Sequence, residues 1–249
     1  MANKPIVDAM VLARGGSVRL QRKNLLPFCG KPLVAWTLLQ ARSAERIRYV
    51  WLVTDDEEIA SVGHQYGANI IYQPTKDCQH GSMGGAFATY WCLRQIERMD
   101  KLPQAMMNMF PTNPLRQPGD MDRVIRRHFE MGHCRTVGAV RLADMSLYTD
   151  MGDGLIRATV FDKSGGVLVE NGAFAVHSLP YYLRIAKFQI DHADDLQAVG
   201  SIGIDYAYYE MPVWTFNDID TLDDFQMAEA LFKGCILQQY GEDCYERNS

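Results

Sequence analysis

Two stretches far apart in this 249-residue chain carry residue types that could do chemistry together. The first, Leu12–Pro32, is a glycine-containing cationic run. Gly15 and Gly16 let backbone N–H groups come close to an anion, Ser17 adds a hydroxyl, and Arg14, Arg19, Arg22, Lys23 and Lys31 supply positive charge. The second is Asp218-Ile-Asp220. In an extended segment, residues i and i+2 project to one side, so both carboxylates can reach one hard cation while Ile219 turns to the core. A cationic loop facing a carboxylate pair suits a polyphosphate bound with Mg2+ or Mn2+, since magnesium takes one or two carboxylates plus substrate oxygens. A solvated basic turn and an acid-rich helix start are the bland alternatives. The latter explains Asp223 and Asp224, which offset the helix dipole, but not Asp218.

The elements that must position these groups read as an α/β alternation. Ile6–Leu12 is an apolar run with a single acid, Asp8, and predicts a buried strand that ends at the cationic loop. Leu33–Arg42 predicts a helix and Tyr49–Thr54 a second strand. Thr54-Asp-Asp-Glu-Glu opens a helix carrying Ile59, Val62 and Tyr66, which Gly67 ends, and Ala68–Tyr72 is a third strand. Gly81-Ser82-Met83-Gly84-Gly85, a second glycine-rich start beside His80, precedes a helix over Ala86–Met99 whose expected core contacts are Phe87, Tyr90, Trp91 and Ile96. Ala105–Phe110 is a fourth strand, Pro111–Arg116 a rigid turn at its carboxyl end, Gly119–Gly132 a helix and Thr136–Val140 a fifth strand. Such alternation implies a doubly wound, mostly parallel sheet, and places the cationic loop at the carboxyl end of the first strand, where open α/β sheets bind ligands.

From Asp144 to Ser178 the rhythm breaks, with turns at Gly152–Gly154 and Gly165-Gly166, so an antiparallel insertion is expected. The pattern resumes with a strand over Ala207–Val213 and a helix over Leu222–Lys233, opened by the capping pair Thr221 and Asp224 and stopped by Gly234. Gln238–Ser249 is expected to be loosely ordered. We therefore expect one domain over 1–249 with an inserted arm over 144–190. His64 and His128 are expected at the surface or a helix end, the tyrosines of 206–212 at a sheet edge or interface, and Trp36, Trp51 and Trp91 in the core.

Composition agrees with a globular protein: 47% hydrophobic and 22% charged residues. Residues 1–50 carry a net +7 and residues 191–249 a net −11, against −5 for the whole chain. The acidic total argues against non-specific nucleic-acid binding. No apolar run nears the roughly 18 residues that span a membrane. Met1-Ala-Asn-Lys4 lacks a secretory leader's apolar segment, and the six scattered cysteines form no metal spacing, so reduced thiols and a cytoplasmic location are expected, with neither nucleic acid nor membrane as partner.

At these residues the chain resembles the nucleotidyltransferases that make CMP-activated acidic sugars, chiefly the CMP-nonulosonate synthetases. Ala13–Ser17, Arg22–Asn24, Gly30–Pro32, Thr54–Ile59, Pro111–Arg116, Asn171–Ala173 and Asp218–Thr221 fall in that family's order and approximate spacing and span most of the chain. The resemblance implies a Rossmann-like sheet, a homodimer formed through the inserted arm, and transfer of CMP from CTP to the anomeric hydroxyl of a 2-keto sugar acid. It implies that Ala13, Arg14, Gly15, Gly16, Ser17, Arg19, Lys23, Asn24, Ser82, Pro111 and Thr112 hold the nucleotide. By the same analogy Arg14, Lys23, Asp218 and Asp220 carry catalysis, with the two aspartates on the metal, and Gln73, Phe110, Asn113, Arg116, Asn171 and Gly172 lie beside the acceptor.

The chain also departs from that pattern. Val18-Arg19 stands where sialate enzymes have Lys-Gly, and Ser17-x-Arg19-Leu20 is similar to the Kdo (3-deoxy-manno-octulosonate) cytidylyltransferases. Phe110 replaces a glutamine, and Gln73 an arginine. Kdo or another acid as acceptor, and a nucleotide-binding relative without turnover, are the alternatives these departures raise.

Overall fold

A computed structural model describes residues 5–73, 84–142, 146–152, 155–161, 167–191 and 205–246. Ser82, His80, Gly165 and Gly166 lie outside the described residues. The chain runs β1 (Val7–Leu12), β2 (Pro27–Phe28), β3 (Lys31–Pro32), α1 (Leu33–Ser43), β4 (Ile47–Thr54), α2 (Glu57–Gln65), β5 (Asn69–Tyr72), α3 (Gly84–Arg98), β6 (Ala105–Met109) and α4 (Asp120–Met131). It continues with β7 (Arg135–Leu142), β8 (Ser146–Gly152), β9 (Leu155–Phe161), β10 (Val167–Ser178), α5 (Leu179–Asp191), β11 (Ala207–Met211) and α6 (Leu222–Leu231).

Seven strands form the main sheet in the order β11-β7-β10-β6-β1-β4-β5. β1 pairs in parallel with both β4 and β6, while β10 runs antiparallel to its neighbours β6 and β7. Both faces are covered, which is why β1 and β4 read as near-continuous apolar runs rather than alternating ones. On one face Val34 and Leu38 of α1, Ile59 of α2 and Val124 of α4 pack on Val11, Leu52 and Met107. On the other, Ala88, Cys92, Leu93 and Ile96 of α3 and Tyr182 of α5 pack on Met10, Trp51 and Met106. The acid inside β1, Asp8, is fully buried and satisfied by Arg48 at 2.9 and 3.0 Å and by the indole N–H of Trp51 at 2.9 Å.

The structure corrects several expectations. The separate antiparallel unit is narrower than 144–190: β8 and β9 pair only with each other, whereas β10 lies inside the main sheet and α5 packs on α3. Ala173–Val176 of β10 are buried on both faces, the burial expected of a central strand. In α3 the buried apolar residues are Ala88, Cys92, Leu93 and Ile96, while Phe87, Tyr90 and Trp91 are half-buried. His128 sits in the last turn of α4, the helix end expected, but is buried there at 3% exposure, its Nδ1 3.0 Å from the Thr136 hydroxyl.

The last helix does not stop at Gly234. It passes through a π-helical turn, Phe232–Leu237, to Tyr240 and ends at Gly241, whose φ is +86°. Among the described residues beyond it Glu242, Asp243 and Glu246 are exposed, but Tyr245 is anchored. Tyr245 is 2% exposed, within 6.4 Å of the Trp36 ring, and donates its hydroxyl to the Arg116 carbonyl. Phe28, Trp36, Phe225, Phe232, Ile236 and Tyr245 form one cluster that draws this tail onto the body. Among the described residues no helix is long and apolar enough to cross a membrane.

Candidate active site

The cationic loop leaves β1 anchored at both ends. The Ala13 N–H donates to the Val53 carbonyl at 3.0 Å, and the Asn24 side chain, itself buried, donates to the Arg14 carbonyl at 3.0 Å. The Gly15 N–H donates to Asp55 at 2.8 Å, and a Cβ at position 15 would stand 2.4 Å from an Asp56 oxygen, so only glycine admits this approach. Asp56 caps α2 through the N–H groups of Glu58 and Ile59 at 3.0 Å and also accepts from Arg22. Although burial opposes it, these bonds hold the Asp56 carboxyl below its ordinary value.

The acidic stretch comes to the same place from the far end of the chain. The Ile219 N–H donates to the Thr112 carbonyl at 2.8 Å, tying it to the turn after β6. Ile219 is fully buried, Asp218 is exposed and Asp220 half-buried, the alternation of an extended segment. Lys23, 8% exposed, donates to the Ile219 carbonyl and lies 3.2 Å from one Asp220 oxygen, and Arg19 lies 2.9 Å from the other. A cleft of about 210 Å³ results, walled by Arg14, Ser17, Arg19, Lys23, Asn24 and Asp220, with Leu12, Phe110, Pro111 and Thr112 opposite. Asp218 is not among its walls. The cleft combines cations, a hydroxyl and one carboxylate, a set that can hold a polyphosphate and present it to a metal ion.

Three of the residues expected beside an acceptor make hydrogen bonds within the protein. Arg116 is fully buried, and its guanidinium donates to the carbonyls of Ala173 and Phe110 at 2.7 Å and to the Gln40 side chain at 2.7 Å. Asn113 is fully buried and donates to the Asn171 carbonyl. Asn171, 3% exposed, donates to Thr215 at 3.0 Å and accepts from the Ala173 N–H at 3.1 Å. These three tie the turn after β6 to β10, and Asn113 Oδ1 is buried without a partner. Gly172 takes φ +71° at the kink of β10. Gln73 is 9% exposed, with a buried oxygen that has no partner. Only Phe110 of that group faces the cleft.

Phe110 and Leu12 also wall a second cavity, of about 200 Å³, between the sheet and the α3–α5 pair. Asn108, Arg135, Glu170, His177 and Tyr182 line it, and sequence reasoning missed all five. The one signal was Asn108, a polar residue inside the otherwise apolar strand Ala105–Met109.

Several known proteins are similar to this chain. N-acylneuraminate cytidylyltransferase A of Danio rerio is 27% identical over 234 residues, covering 90% of this chain and 50% of that protein. The CMP-N,N'-diacetyllegionaminic acid synthase of Legionella pneumophila is 29% identical over 120 residues, 48% of this chain and 52% of that one. The chain spans about half the length of these curated relatives. A solved CMP:2-keto-3-deoxy-manno-octonic acid synthetase complexed with CTP superposes with a TM-score of 0.65 at 16% identity, over 93% of this chain and 100% of that one. The 4-diphosphocytidyl-2C-methyl-D-erythritol synthase of Anaerococcus prevotii does so with 0.64 at 12%. At such identities the likeness is one of fold. The family model described as cytidylyltransferase matches residues 9–146, which hold the cationic loop, the wall Asn108–Thr112 and the turn locked by Arg116, and the chain belongs to that family.

Proposed function

We propose that this protein transfers CMP from CTP to the anomeric hydroxyl of a 2-keto acidic sugar and releases pyrophosphate. The observation that carries the reading is the convergence of the cationic loop with Asp220 in one cleft, through Lys23. Arg14, Arg19, Lys23, Ser17 and the loop amides hold the triphosphate, and Asn24 keeps the loop in shape. The acceptor hydroxyl gives up its proton, for which Asp218 or Asp220 is the base, as its oxygen attacks the α-phosphorus, and the bond to the departing pyrophosphate breaks as the cations neutralise its growing charge. Such transfer demands positioning and charge neutralisation more than covalent chemistry from the protein.

Asp220 and Asp218 fit a hard divalent cation, because both offer carboxylate oxygens from one extended segment and Asp218 is unburied. Among the described residues no three His, Cys, Asp or Glu side chains cluster to hold a metal. Bound there, Mg2+ would act as a Lewis acid on the phosphate oxygens. Arg19 is 69% exposed at its side chain, so it can leave Asp220 for the nucleotide at little cost.

A nonulosonate-like acid is the first acceptor to test. Kdo is the second, on the strength of Ser17-x-Arg19-Leu20, with Arg19 among the walls of the cleft. Pyrophosphate release from CTP and Mg2+ with a panel of 2-keto sugar acids is the test. Release with one acid is expected. CTP binding without release from any acid would instead favour a nucleotide-binding relative. The protein works as a homodimer joined through the β8–β9 hairpin, which sedimentation of the wild type against a hairpin deletion tests. Cys29, Cys92, Cys134, Cys235 and Cys244 are free thiols, which supports a cytoplasmic setting.

A further inference from the structure

The cavity behind Phe110 has a composition of its own. Asn108 and Phe110 stand two residues apart at the end of β6, so they face the same side of the sheet, about 7 Å apart along the strand. Ala175 and His177 of β10 are paired with Asn108 and Met106 and extend that face inward. Thr89 and Tyr182 close the cavity from α3 and α5, their hydroxyls 3.3 Å apart. The His177 ring stacks on Tyr182 at 4.1 Å and 6°. Arg135 and Glu170 also line it and pair with each other at 2.8 and 3.1 Å.

Three polar atoms on these walls are buried with no partner: Asn108 Oδ1, His177 Nδ1 and Arg135 Nε. Asn108 is 8% and His177 6% exposed. Burial, helped by the neighbouring Arg135, holds His177 well below its ordinary pKa and therefore neutral. Orphaned buried polar groups are uncommon, and three on one cavity ask for a partner from outside the chain. A full negative charge would be poorly served here, because the cavity's guanidinium is already taken by Glu170. A hydroxyl or an acylamino group, which both donates and accepts, would match.

We propose that Asn108 and His177 determine which acceptor this chain takes, by holding an uncharged hydrogen-bonding substituent on the end of the acceptor remote from its carboxyl group. This rests on the sugar-acid reading above. The acceptor would cross the Leu12–Phe110 boundary, with its reacting end toward the α-phosphate and its substituted tail against Asn108, His177 and the Tyr182 ring.

The test uses the wild type, Asn108→Leu, and His177→Phe, which keeps a ring against Tyr182. Each is assayed for pyrophosphate release with the best acid of the panel and with analogues that lack one tail hydroxyl or one acyl group. In the variants the KM for the acceptor should rise at least about tenfold, with the KM for CTP within about twofold and the melting midpoint held. The wild type should discriminate against one class of analogue, which tells a hydroxyl from an acylamino partner, and Asn108→Leu should lose that discrimination. Folded variants with an unchanged acceptor KM, or with the discrimination intact, would overturn the proposal while leaving the transferase reading in place. Failure of the wild type with every acid would overturn both.

Discussion

Lys23 Nζ lies 3.2 Å from Asp220 Oδ1, joining residues 197 positions apart, and it also donates to the carbonyl of the intervening Ile219. The loop and the acidic segment are thus held in one place before any nucleotide arrives. Lys23→Met should weaken CTP binding at least about tenfold and cost about 1–3 kcal/mol of stability, because a buried carbonyl and a carboxylate lose a donor. Asp220→Asn should keep the fold yet lower the rate of pyrophosphate release at least about a hundredfold. Calorimetric titration with CTP, thermal melts and the release assay check these. Unchanged CTP affinity in Lys23→Met would remove Lys23 from the site.

Arg116 donates to two backbone carbonyls and a glutamine in the interior. Arg116→Met should destabilise the protein by about 3 kcal/mol through the orphaned carbonyls, while the KM for CTP of the folded fraction stays within about twofold. Denaturant unfolding followed by kinetics separates the two effects. A stable variant with lost acceptor binding would return Arg116 to the role its sequence context suggested.

Tyr245 fills the cluster around Trp36 and Phe232. Tyr245→Ala should cost about 3 kcal/mol, the usual scale for truncating a buried aromatic ring, and should increase proteolysis near the end of the last helix. A variant that melts like the wild type would show the tail to be dispensable.

His128 gives the fold a sensitivity to acid. Burial lowers its pKa from 6.5 to about 4. The unfolded chain therefore takes up the proton first as pH falls, so the histidine has no effect above about pH 7.5 and stability declines between 6.5 and 4. Relative to His128→Gln, the wild type should lose melting temperature on going from pH 7.5 to pH 5. His177, buried in both proteins, cancels from that difference. A constant difference across the range would show that His128 titrates normally in the folded protein.

How far the site could be read in advance depended on how local its signals were. Gly15, Lys23 and Asp220 stand in short stretches of distinctive residue types, and the fold brings Lys23 and Asp220 together. Asn113, Arg116 and Asn171 belong to equally distinctive stretches, yet they make hydrogen bonds within the protein, since type and spacing are the same for a polar group that faces a cleft and one that faces a carbonyl. The cavity of Asn108, Arg135 and His177 was invisible because its walls come from four strands and two helices, with one to four residues from each.

By itself, the sequence determined the alternation of strands and helices, the cationic loop at the end of β1 and the carboxylate pair before α6. These follow from periodicity, capping and charge within a dozen residues, and local chemistry carries them. The tertiary structure alone decided that β10 enters the sheet against its neighbours, that Tyr245 seals the helix cluster, and which polar residues meet solvent space rather than backbone. Burial and hydrogen-bond partnership depend on residues far away in the chain, and no local pattern records them.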